Sequence, residues 1–223
     1  MSAVLGIFGG TFDPVHCGHL ELAREVRAAL NLSAVRFVPA GDPPHRAAPV
    51  APAIHRLAMV ELAIAGQPGL EVDAREIQRR GRSYTVETLE ELRREAPART
   101  LALIVGGDAF LGFPSWHRWR ELFALAHVIV VARPGVSFEI AMPPALAAEW
   151  AARLRDDASA LTTERDGAIF VQPITAYPIA ASAIRAELAR GAEGLAAVRG
   201  LLPAAVLAYI DRNQLYRSHP DAT

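Results

Sequence analysis

The chain reads as an α/β protein, a Rossmann-like parallel sheet with helices on both faces. Three features predict this: short apolar runs alternate with segments of helical period, each run stops at turn residues, and the composition can fill a core. Of 223 residues, 52% are hydrophobic and 21% charged, with a formal net charge of −1. Nothing in that balance argues for disorder, and one domain spanning 1–223 is expected, with a helical C-terminal portion from about residue 180.

In order, buried strands are expected at Ala3 to Phe8, Val35 to Pro39, Leu101 to Val105, Val128 to Ala132 and Ile169 to Gln172. Each is a β-branched or apolar stretch followed by turn residues. Helical periodicity covers His19 to Leu32, Ile54 to Ala65, Val86 to Glu95, Trp119 to Ala126, Ala145 to Leu154, Ala183 to Ala189 and Val206 to Asn213. The spacing of Trp119 to Leu122 and Phe123 marks Trp119 as core. Ala-rich stretches read as good helix formers, and Met142 to Glu164 reads as an extra, peripheral helix with a polar end. Pro39 to Pro52 holds Gly41, Pro43, Pro44 and Pro49, and so reads as a surface loop. Alternating strands and helices imply right-handed crossovers, with ligands held beyond the carboxyl ends of the strands.

Composition narrows the chemistry. A near-neutral chain lacks the wide basic surface that grips nucleic acid polymers, yet a local cationic pocket for small anions remains open. All 23 basic residues are arginine, which excludes lysine Schiff-base chemistry and a lysine phosphate loop. The single Cys17 excludes an intramolecular disulfide or a cysteine metal cluster and fits a reducing, cytoplasmic setting. The opening MSAVLGIFGGTFDP has no charged leader and turns at Gly-Gly after a short run, so neither a signal peptide nor a membrane association is expected.

The run Gly9-Gly10-Thr11-Phe12-Asp13-Pro14-Val15-His16-Cys17-Gly18-His19 ends the first strand and opens the first helix. Two glycines let backbone amides approach an anion, a helix N-terminus adds partial positive charge, and Thr11 adds a hydroxyl. His16 and His19, three apart, share a face where both can donate to phosphate oxygens. The alternatives are a tight turn whose histidines cap and pack, or a zinc site from His16, His19 and Asp13, which lacks a clear fourth ligand. Ser83 or Thr85 can cap the helix that follows, leaving first-turn amides for a ligand carboxylate. Ser182 is a natural N-cap with Arg185 one turn on, so hydroxyl, amides and guanidinium can converge on a phosphate.

The Gly9 to His19 run resembles the (H/T)xGH signature of the nucleotidylyltransferase superfamily in its GxFDPxH context. Within that superfamily Pro43-Pro44-His45-Arg46 resembles the PPHK element of the nicotinate- and nicotinamide-mononucleotide adenylyltransferases, with arginine in place of lysine. Arg82 to Leu89 resembles their SYTxxTL element, Gly106-Gly107-Asp108 their GxD, Phe113 to His117 their proline-tryptophan segment, and Arg133-Pro134-Gly135 their RPG turn. Ile179 to Arg185 resembles the ISSTxxR phosphate motif, with alanine at two hydroxyl positions, and the closing Leu202 to Tyr216 segment resembles the family's last helix and LY end.

The resemblance implies a nucleotidylyltransferase fold and transfer of AMP from ATP to nicotinate mononucleotide (NaMN), giving deamido-NAD and pyrophosphate, with magnesium carried on ATP rather than by protein side chains. Catalysis would fall to His16, His19 and Arg46. ATP would meet Gly9, Gly10, Thr11, Phe12, Gly106, Asp108, Ser182 and Arg185. The mononucleotide would meet His45, Tyr84, Thr85, Trp116 and Arg133. A homo-oligomer is allowed. Two rivals stay open: a nucleotide sensor without turnover, suggested by Ala180, Ala181 and Arg46, and transfer to another phosphorylated acceptor.

Overall fold

The computed structural model describes residues 4–43, 48–132, 142–175 and 177–217. Six parallel strands form one sheet in the order β3-β2-β1-β4-β5-β6. They are β1 Leu5–Gly10, β2 Ala34–Pro39, β3 Leu70–Val72, β4 Leu101–Gly106, β5 His127–Ala132 and β6 Ile169–Pro173. The order reverses between β1 and β4, which leaves a crevice beyond their carboxyl ends. β1 is central and pairs Leu5 with Ala34 on one side and with Leu101 on the other. The strands are almost continuously apolar because both faces are covered. Phe8, Phe37, Ile104 and Ile129 face one core, and Leu5, Ile7, Leu103 and Val130 face the other.

The ten α-helices among the described residues are α1 Cys17–Ala29, α2 Ala53–Ile64, α3 Arg75–Gln78, α4 Thr85–Glu95, α5 Gly107–Leu111, α6 Pro144–Arg153, α7 Ala160–Thr163, α8 Ala181–Leu188, α9 Ala192–Ala197 and α10 Ala204–Arg212. Five strands and most helices lie within a few residues of the expected spans. β3 was not foreseen, being three residues long and at the sheet edge, too short to show a period. Trp119–Ala124 forms a 3-10 helix, entered through Arg118 in the left-handed region at φ 52°, where an α-helix was expected. Trp119 is core, as its spacing implied.

The segment read as peripheral is built in. Leu146 of α6 is fully buried, Trp150 packs against Phe110 at 5.6 Å, and the Arg155 amide donates to the Ile169 carbonyl beside β6. No described helix is long and apolar enough to cross a membrane.

Candidate active site

The β1–α1 connection carries the densest chemistry. His16 is the N-cap of α1 and His19 its third residue, so the helix starts two residues before the expected position. The two imidazoles stack with centroids 3.7 Å apart, and the His16 amide donates to His19 Nδ1 at 3.2 Å. A neutral His19 that accepts at Nδ1 carries its proton on Nε2, which then serves as the ring's donor. His16 is buried, its Nδ1 has no hydrogen-bond partner among the described residues, and burial brings its pKa down to about 4. It is therefore neutral at pH 7 in the free protein, while a bound anion would favour its protonated form.

A backbone contact qualifies the expected contribution of the helix N-terminus. The Cys17 amide donates to the Leu201 carbonyl and the His19 amide to the His16 carbonyl, both at 2.9 Å. Those two amides are occupied within the protein, which leaves fewer helix-start amides open to an anion than the sequence suggested. Gly18 has a steric role. A Cβ there would stand 3.2 Å from His16 Nδ1 and 3.3 Å from its Cε1, so glycine lets the His16 ring lie flat across the helix start.

Gly9 and Gly106, at the ends of adjacent strands β1 and β4, have among the described residues no atom beyond their own chain neighbours within 4 Å of an added Cβ. Packing does not demand glycine at either position, and open space lies in front of both. Gly10 differs, because a Cβ there would meet the Phe12 ring at 2.8 Å. Phe12 itself is turned inward, packing at 5.6 Å from Phe8, 5.4 Å from Phe37 and 5.1 Å from His19. Its ring braces His19 from the core, which leaves its backbone as the part that can face a ligand. Thr11 directs its carbonyl to Arg56, and Asp108 is exposed on α5, where it caps nothing because Gly106 is the N-cap.

Asp13 is not arranged for zinc. Its carboxylate accepts the Val50 and Ala51 amides at 2.8 and 3.1 Å and the Tyr216 hydroxyl at 2.7 Å. Among the described residues no three His, Cys, Asp or Glu side chains converge to hold a metal ion. Arg185 reaches the same loop, donating to the Asp13 carbonyl at 2.7 Å, and is partly exposed. Ser182 is not the N-cap of α8. That position is Ala180, in extended geometry with no side-chain cap, and Ser182 lies exposed within the first turn.

The second cluster surrounds the start of α4. The N-cap is Tyr84, with no side-chain cap, so neither Ser83 nor Thr85 plays the expected capping part. Ser83 is buried and its Oγ accepts the Gly41 and Asp42 amides at 2.9 and 3.3 Å, tying this turn to the chain leaving β2. Tyr84 packs at 4.5 Å on His117, the chain neighbour of Trp116, whose indole rests on Phe113 at 4.7 Å. His45, Arg46 and Arg133 lie outside the described residues.

Sequence reasoning missed Arg56. It is 1% exposed and donates to three carbonyls, Ala51 at 3.1 Å, Thr11 at 2.7 Å and Gly41 at 3.1 Å. The available signal was its place on the buried stripe of α2 with Met59, Val60 and Ala63, where a cation must satisfy its donors internally.

A model of the cytidylyltransferase-like family matches residues 7–187. The chain is 50% identical over 219 residues to a probable nicotinate-nucleotide adenylyltransferase of Laribacter hongkongensis, covering 98% of this chain and 96% of that protein. It is 49% identical to one of Dechloromonas aromatica, covering 98% and 100%. Among solved structures, the Plasmodium falciparum nicotinic acid mononucleotide adenylyltransferase complexed with NaAD superposes with a TM-score of 0.70 at 14% identity, covering 96% of this chain and 97% of the other, a likeness of fold.

Proposed function

We infer the reaction from kinship: the chain belongs to the cytidylyltransferase-like family, among its nicotinate-nucleotide adenylyltransferases. It transfers AMP from ATP to NaMN, yielding deamido-NAD and pyrophosphate. The observation that best supports this reading is the pairing of two clusters at the carboxyl ends of neighbouring strands. One, with His16, His19 and Arg185, suits phosphates, and the other, with Tyr84 and Trp116, suits a flat pyridine ring.

In the proposed mechanism a phosphate oxygen of NaMN attacks the α-phosphorus of ATP, a new P–O bond forms in line, and the bond to the bridging oxygen of pyrophosphate breaks. The attacking phosphate is already an anion, so no enzyme nucleophile is needed, and catalysis consists of positioning and charge stabilisation. The role of stabilising the triphosphate and the departing pyrophosphate falls to His16, His19, Arg46 and Arg185, with Ser182, Gly9, Gly10, Thr11 and Phe12 as further ATP contacts. Gly106 and Asp108 take the adenosine part, the carboxylate suiting a ribose diol. Tyr84, Thr85, Trp116, His45 and Arg133 hold the mononucleotide. A divalent ion, proposed to be magnesium, would arrive with ATP as part of the substrate and supply neutralisation of phosphate charge, with phosphate and water as most of its ligands. We also read the chain as a single cytoplasmic domain, 1–223.

The experiment is pyrophosphate release from ATP measured with NaMN and with a panel of other phosphorylated acceptors. Release that depends on NaMN is expected. Turnover with another acceptor alone, or nucleotide binding without turnover, would overturn the reading.

A further inference from the structure

Behind the proposed mononucleotide turn lies a buried carboxylate that the mechanism does not use. Glu76 of α3 is 7% exposed, and the Thr88 hydroxyl, one turn into α4, donates to its Oε1 at 2.7 Å. Ser83 also hydrogen-bonds to Glu76, and the same hydroxyl oxygen accepts the Gly41 and Asp42 amides. The Ser83 amide donates back to the Asp42 carbonyl at 2.9 Å. Gly41 sits so close to α3 that a Cβ would stand 2.3 Å from the Glu76 carbonyl oxygen. One acceptor thus gathers two hydroxyls that flank Tyr84 and Thr85, and through Ser83 it fastens the segment that leads out of β2.

Burial raises the Glu76 pKa, and the Thr88 and Ser83 hydrogen bonds, then the Arg79 charge, act against that rise while Asp73 adds to it. Arg79 approaches the Thr88 hydroxyl at 3.3 Å and is itself paired with Glu91 at 2.7 Å. A buried acceptor with two hydroxyl donors fixes their rotamers, since any other arrangement leaves a polar group unpaired.

We propose that Glu76 is a positioning residue for the pyridine substrate: through the hydroxyls of Ser83 and Thr88 it holds the Tyr84-Thr85 turn and the Gly41-Asp42 segment in one frame. This rests on the reading of the Tyr84-Thr85 turn as the mononucleotide site. Its consequence is larger for the mononucleotide than for ATP, because these bonds reach the loop of His16 and Arg185 through an intermediary, Arg56, which donates to the Gly41 and Thr11 carbonyls.

The test is steady-state kinetics of Glu76→Gln, Ser83→Ala, Thr88→Val and Thr88→Ser, varying each substrate in turn. Glu76→Gln, Ser83→Ala and Thr88→Val should raise KM for NaMN about ten- to a hundredfold, the scale of one mismatched buried hydrogen bond. KM for ATP should stay within about twofold, and Thr88→Ser, which keeps the hydroxyl, should behave as wild type. A purely structural role predicts lower urea midpoints with an unchanged KM for NaMN, and that result overturns the proposal. Equal rises in both KM values overturn it too. If one variant fails to fold, the remaining ones carry the same comparison. Wild-type protein that does not turn over NaMN would sink the reading of the site, whereas wild-type turnover with unmoved variants sinks only the role of Glu76.

Discussion

At the scale of single residues, His16 combines burial with a ring nitrogen, Nδ1, that has no hydrogen-bond partner among the described residues. If it meets the leaving group, His16→Ala should lower kcat by about a hundred- to a thousandfold, as loss of one preorganised donor does. A folded His16→Ala protein with near wild-type turnover would remove it from the mechanism. The same burial predicts a pH effect on stability. The folded pKa of about 4 lies below the ordinary 6.5, so between these values the unfolded chain binds the extra proton. Stability from this site is present above pH 6.5 and is lost as pH falls toward 4, by at most on the order of 3 kcal/mol. His127, also lowered by burial, adds in the same direction, and Glu76, raised by burial, acts in the opposite one. Urea titrations at pH 5 and pH 7 should therefore show a smaller difference for His16→Asn than for wild type. An identical difference would place the pH dependence elsewhere.

At the scale of elements, two helix starts make separate demands. In α1, Gly18 allows the His16 ring to lie flat, and an alanine Cβ at 3.2 Å must displace the ring by a few tenths of an ångström. Alanine favours the helix by up to about 1 kcal/mol, so Gly18→Ala should keep or raise Tm while kcat falls roughly three- to tenfold. Unchanged kcat would show that the ring's position is not critical. In α4, the N-cap Tyr84 leaves first-turn amides without a side-chain cap. A nicotinate carboxylate can accept two such N–H bonds and meet the positive helix end, whereas a carboxamide offers one acceptor and one opposed donor. The mismatch costs on the order of 1–3 kcal/mol, so kcat/KM should favour the acid over the amide by roughly ten- to a hundredfold. Equal kcat/KM for the two mononucleotides would mean that the pyridine substituent points away from this turn.

At the scale of the whole molecule, residues far apart in the chain meet at the β1–α1 loop. Tyr216 lies 203 residues from Asp13 and donates to its Oδ1, with burial first and the Asp13 carboxylate second pushing the phenol's pKa upward, so it stays a donor. Arg56 and Arg185 hold the same loop through its carbonyls. Tyr216→Phe should lower unfolding stability by about 1–3 kcal/mol, measured by urea titration, because a buried carboxylate loses a donor. A change within error would mean that water or another donor replaces the hydroxyl. None of this network was legible beforehand. The strand runs, the helical periods and the Gly-Gly turn with its two histidines at the start of a helix could be anticipated from residue order, because local periodicity, turn propensity and short motifs act over a few residues. The three-residue β3, the inward turn of Phe12, the hydroxyl of Ser83 bound to Gly41 and Asp42, the α8 cap at Ala180 and the core placement of Arg56 could not. Those outcomes depend on which buried donors and acceptors meet across the fold, and a side chain's partner is chosen by three-dimensional proximity and the cost of leaving a buried polar group unpaired, neither of which is written in its neighbours along the chain.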